Sequence, residues 1–120
     1  MKEIKMKPLR EHTVIKDEER ALLERCRVSI NRIDPSAEVI LYGSRARGDA
    51  EPDSDFDLLV LASGEVTLER EDIFRRCLFS IEIETGYVFT VFLCSKIDWN
   101  APLYRAMPFC QNVEKDGVIL

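Results

Sequence analysis

Residues 39–62 read Val-Ile-Leu-Tyr-Gly-Ser-Arg-Ala-Arg-Gly-Asp-Ala-Glu-Pro-Asp-Ser-Asp-Phe-Asp-Leu-Leu-Val-Leu-Ala. Val39–Tyr42 is a short apolar run that stops at Gly43, and a second run, Leu58–Ala62, begins directly after Asp55-Phe56-Asp57. The stretch therefore predicts a strand, a glycine turn and a second strand. Side chains alternate along a strand, so Asp55 and Asp57 are expected on one face. Two carboxylates held side by side repel unless a cation sits between them, and hard oxygen ligands suit Mg2+ or Mn2+. Gly43-Ser44 adds a residue that lets a ligand approach the backbone, N–H groups for phosphate oxygens, and a hydroxyl.

Two other loop chemistries fit poorly. Asp53, Asp55 and Asp57 match the first acidic positions of an EF-hand loop, but Leu58 stands where that loop needs glycine and Gly64 where it needs glutamate. A Walker phosphate loop requires Gly-Lys-Ser/Thr, and the lysine is missing. The plainer alternative is a solvated polar loop between two strands, an ordinary use of acidic turns.

Gly43-Ser44-Arg45-Ala46-Arg47-Gly48 followed by Asp53-Ser54-Asp55-Phe56-Asp57-Leu58 resembles the signature of the polymerase-beta-like nucleotidyltransferase superfamily, in particular its minimal nucleotidyltransferases. Pro108 to Gly117 is similar to the ending of many minimal members. The resemblance implies an α/β (α+β) fold with a small mixed sheet packed with helices. It implies a Gly-Ser turn that holds a nucleoside triphosphate, and an Asp-x-Asp pair that binds metal. It also implies a partner, since such minimal members are commonly paired with a small helical HEPN-type protein, typically a toxin ribonuclease, which they bind and adenylylate.

The chemistry expected on this basis is attack of an acceptor hydroxyl on the α-phosphorus of ATP, with pyrophosphate leaving. Metal ions held by Asp55 and Asp57 neutralise the attacking and leaving oxygens. Gly43 and Ser44 grip the phosphates, and Arg47 offsets charge on pyrophosphate. Arg45 is a further nucleotide-binding candidate, although one of the two arginines is as well suited to clamping Asp49, Glu51 or Asp53. The superfamily usually carries a third carboxylate on the following strand. Thr90 falls at that place, and Glu84 is the nearest carboxylate that a shift of register would supply. An enzyme acting as an antitoxin and a binding module that neutralises its partner by contact both follow from these residues. An aminoglycoside-type transferase of small molecules is a third, weaker alternative.

The chain of 120 residues with 46% apolar content suits one domain, expected over residues 1–120 with 1–14 as an arm or edge strand. Its net charge of −5 argues against a broad grip on nucleic acid. Cys26, Cys77, Cys94 and Cys110 are too scattered for a Cys-x-x-Cys site and read as small core residues. Met1–Lys7 lacks the apolar core of a signal peptide and no run approaches a membrane span, so a cytoplasmic protein is expected. Oligomeric state, including a homo-oligomer, is left open by the sequence. His12, the lone histidine, reads as a surface side chain, because this chemistry uses carboxylates and not imidazole.

Elsewhere the apolar period predicts a helix from an Asp17 N-cap to Ile33, with Leu22, Leu23, Cys26, Ile30 and Ile33 inward. A second helix is expected over residues 67–82, with Ile73, Phe74, Cys77, Leu78 and Ile81 inward and Gly86 closing it. Tyr87–Cys94 predicts a strand buried on both faces, its aromatics in the core. Ser95 and Asp98 open a short helix, and one or two further turns precede Gly117. Together these give strands near 37–42, 55–62 and 87–94, with the first two helices on one face.

Overall fold

The computed structural model describes residues 6–12 and 15–120. Residues 1–5 and 13–14 of the expected arm or edge strand lie outside the described residues.

A five-stranded mixed sheet carries the fold: β1 (Lys7–Pro8), β2 (Glu38–Tyr42), β3 (Phe56–Ala62), β4 (Phe89–Ser95) and β5 (Val118–Ile119), ordered β1-β5-β2-β3-β4. β3 runs antiparallel to β2 and parallel to β4. Three of the strands are those the sequence predicts. The two-residue strands β1 and β5 are too short to leave a periodic signal, and they add to the β2 edge.

Helices cover both faces. Leu58, Val60 and Ala62 of β3 join Leu23, Cys26 and Ile30 of α1 (Asp17–Ile33), Phe74 of α3 (Leu68–Arg76) and Ile81 of α4 (Phe79–Thr85) in one core. On the other face, Leu59 and Leu61 pack with Trp99 of α5 (Lys96–Asn100) and, beyond the one-turn α6 (Pro102–Arg105), with Cys110 and Val113 of α7 (Pro108–Asp116). Both faces of β3 are thus apolar, and Asp57 is the one charged residue in that strand.

Several expectations are corrected. The residue before α1 is Lys16, whose N–H donates to the Glu19 carboxylate at 3.4 Å; Asp17 is the first helical residue and not the cap. The expected helix over 67–82 is two helices, α3 and α4. Between them the backbone tightens, with the Leu78 N–H donating to the Arg75 carbonyl three residues back. Ile73 is 52% exposed and Ile33 41%, so neither is a core residue. β4 is an edge strand and not buried on both faces, and Phe92 is 38% exposed. The N–H groups of Phe89 and Leu93 on this strand donate to Glu82 and Glu71 at 2.9 and 3.0 Å. Helix carboxylates thus occupy backbone donors that would otherwise offer an edge for strand pairing.

Candidate active site

β2 ends and β3 begins at the same end of the sheet, and β4 begins beside them. The register pairs Tyr42 with Asp57 and Asp57 with Thr90. Paired residues share a face, so Tyr42, Asp57 and Thr90 form a row across three strands. Two positions further into the sheet, Ile40, Leu59 and Phe92 form the next row. The polar row therefore marks the edge at which the second core stops.

Asp57 has its two oxygens differentiated. Oδ1 accepts a 2.7 Å hydrogen bond from the Thr90 hydroxyl. Oδ2 faces the Gly43 turn, where a β-carbon on residue 43 would lie only 2.6 Å away. Gly43 has φ +77° with an extended ψ, a region held almost only by glycine that costs other residues strain. It precedes α2 (Ser44–Arg47), and its carbonyl accepts from the N–H groups of Ala46 and Arg47 at 3.1 Å. The N–H groups of Ser44 and Arg45 come before the first bond of that turn, so they are available to an anion. Asp55, exposed and one alternation ahead of Asp57, leads into β3, and the Phe56 N–H is bonded to the Val88 carbonyl at 2.9 Å.

The two arginines differ sharply. The Arg45 side chain is 8% exposed and ion-paired with Glu19 at 3.0 Å. Its guanidinium donates to the carbonyls of Pro52 and Ser54 and lies 4.4 Å from the centre of the Phe56 ring. The Arg45 guanidinium is thus engaged in folding residues 52–54 back onto the domain, the loop-ordering role open to one of the two arginines. Arg47 is exposed and makes only a surface pair with Asp49 at 3.2 Å, which leaves it free to turn toward a phosphate.

Glu84 is not brought to the row. It lies on α4 and pairs with Arg25 of α1, both side chains half exposed. The correction has a simple cause: α4 belongs to the opposite face, and the carboxylate two residues before, Glu82, is occupied by the β4 edge. His12 follows a 3-10 turn at Leu9–Glu11 and is half-buried; burial first, then Lys7 and Arg20, lower its pKa.

Among the described residues no group of three or more His, Cys, Asp or Glu is placed to hold a metal. The row itself presents one carboxylate, Asp57, over the glycine cradle, and the exposed Asp55 directly precedes the strand, so the nearby donors are oxygens. This set suits Mg2+ or Mn2+, which usually take one or two protein carboxylates and complete their shell with substrate phosphates and water.

Tyr42 and its place beside Asp57 were not singled out from the sequence. The Tyr42 ring meets Phe109 edge to face at 5.3 Å, and Phe109 meets Phe92 at 5.7 Å. Burial and then the Asp57 charge raise the Tyr42 phenol pKa. Counting alternation back from Gly43 would have found it.

A family model for the nucleotidyltransferase domain matches residues 23–113. Among solved structures, the chain is similar to a toxin-antitoxin structure with AMP-PNP, at 20% identity over 80% of this chain and 70% of that one, TM-score 0.52. It is also similar to the Cid1 poly(U) polymerase with MgGTP bound, at 34% identity and TM-score 0.45. That match covers 55% of this chain, which spans only 22% of the polymerase. A cytoplasmic RNA terminal U-transferase matches at 26% identity over 68% of this chain and 31% of that one, TM-score 0.42. No curated protein matches.

Proposed function

The chain belongs to the nucleotidyltransferase domain family, and on that premise we propose that residues 1–120 act as one domain that transfers AMP from ATP to a hydroxyl of a partner protein. The observation that carries this reading is the Gly43–Asp57 cradle, in which a carboxylate oxygen of Asp57 faces the positive-φ glycine turn that opens the one-turn helix at Ser44. Gly43 and Ser44 bind the triphosphate, Arg47 leaves Asp49 to offset charge on the departing pyrophosphate, and Asp55 and Asp57 hold Mg2+ or Mn2+. The bound ions supply charge neutralisation on the attacking and leaving oxygens. The acceptor hydroxyl oxygen forms a bond to the α-phosphorus as the bond to pyrophosphate breaks, and the hydroxyl proton is released to water.

The partner we favour is a small helical HEPN-type toxin, with this chain as its cytoplasmic antitoxin. The toxin-antitoxin structure that shares the fold supports a toxin-antitoxin pairing, and the HEPN type follows from the family resemblance. The net charge of −5 weighs against broad nucleic-acid binding. Among the described residues no helix is long and apolar enough to cross a membrane. Thr90 at the row favours a second reading, a module that keeps the fold and neutralises its partner by contact.

The test is incubation with α-labelled ATP, Mg2+ and the protein encoded beside this one. Label on that protein, lost in the Asp55→Asn, Asp57→Asn double variant, supports transfer. If thermal melting is unmoved by saturating Mg2+ with any of the four nucleoside triphosphates, the nucleotide-binding reading is wrong.

A further inference from the structure

We propose that Thr90 is a positioning residue: its hydroxyl fixes the Asp57 carboxylate so that Oδ2, and not Oδ1, is presented over the Gly43 turn to the metal-nucleotide. The inference rests on the transferase reading above and assigns the row a division of labour. A free aspartate on a strand end rotates about its terminal torsion, which is broad and two-fold. Here one oxygen is tied to a neighbouring strand at 2.7 Å and the other is turned toward a glycine whose missing β-carbon leaves the space open.

The hydrogen bond also strips one proton-donor requirement from Thr90 itself, because the hydroxyl gives its only hydrogen to Asp57. The strand backbone holds Thr90 in register with Asp57, so the donor is set by sheet pairing and not by a mobile side chain. A β-branched residue has few side-chain rotamers, which further fixes the oxygen. Side chains that hydrogen-bond a metal ligand orient it, and their loss typically weakens metal affinity about 10–100-fold. Thr90 is exposed, so its hydroxyl contributes little to the core.

The measurement is binding of Mn2+ in the presence of a non-hydrolysable ATP analogue, with free Mn2+ counted by electron paramagnetic resonance. Thr90→Val keeps the shape and β-branching and removes the donor; Thr90→Ala serves if Val disturbs the strand; Thr90→Ser keeps the donor. Expected are about 10–100-fold weaker Mn2+ binding for the Val and Ala variants, recovery in Thr90→Ser, and unchanged melting of the Val variant without ligand. Wild-type Mn2+ affinity in both Val and Ala variants overturns the proposal. Absence of Mn2+-nucleotide binding in the wild-type protein is a different result: it removes the transferase reading and this inference with it.

Discussion

A β-carbon on Gly43 and Oδ2 of Asp57 cannot both keep their places, since they would lie 2.6 Å apart. Gly43→Ala therefore has two separable effects. The positive-φ, extended backbone at residue 43, a region held almost only by glycine, makes any side chain strained by about 1–3 kcal/mol, and the added methyl pushes the carboxylate aside. Melting with and without Mg2+-ATP distinguishes them: a lower melting temperature is expected in both conditions, together with loss of the ligand-induced rise. A variant that keeps the full rise would show that the cradle is not where the nucleotide binds.

The double change Asp55→Asn and Asp57→Asn removes charge while keeping size and some hydrogen bonding. A ligand at a hundredfold excess over its Kd adds about 2.7 kcal/mol of apparent stability, and that increment is expected to vanish in the variant. Nucleotide transfer is expected to fall by orders of magnitude while partner binding changes little. Neutralisation of the partner in cells at the wild-type level by this variant would move the assignment to the contact-only module.

Arg45 and Arg47 are two residues apart and are expected to fail in different ways. Arg45→Ala leaves Glu19 unpaired in a site where both side chains are largely buried, and it releases the carbonyls of Pro52 and Ser54. A loss of about 3 kcal/mol is expected by denaturant unfolding. Arg47→Ala breaks only an exposed pair and is expected to shift stability by less than about 0.5 kcal/mol, while raising KM for ATP. Equal destabilisation by the two changes would contradict this division.

The strand-turn-strand was legible because β3 is apolar on both faces and Asp57 interrupts it, a pattern that solvent alone does not produce. The resemblance pointed to Thr90 as the position of the superfamily's third carboxylate on the following strand, and the structure pairs it with Asp57. What alternation cannot supply is a partner across the chain. Arg45 finds Glu19 and Glu84 finds Arg25 through the packing of α1, at sequence separations of 26 and 59 residues. A period-3.6 pattern likewise runs unbroken through Cys77, so the local tightening that divides α3 from α4 had no signature in residue type.

Glu84→Gln tests the correction directly. The Arg25–Glu84 pair has both side chains about half exposed, so its loss is expected to cost no more than about 1 kcal/mol. Transfer to the partner is expected at the wild-type rate, measured with α-labelled ATP. A loss of transfer exceeding tenfold, with the fold intact, would mean that α4 approaches the row during turnover.

Thr90→Asp asks what the row does when it carries a third carboxylate. In the metal-free protein this side chain stands beside Asp57, where the hydroxyl now lies 2.7 Å from Oδ1. Like charges so placed repel, and with no donor between them the melting temperature of the metal-free variant is expected below that of wild type. A divalent ion reverses the sign, because two facing carboxylates then become shared ligands in place of a repelling pair. Saturating Mn2+ is therefore expected to raise the melting temperature of Thr90→Asp by more than it raises that of the wild-type protein. Equal shifts in the two proteins would mean that a carboxylate at position 90 does not join the ion, and that position 90 serves only to tie β4 to β3.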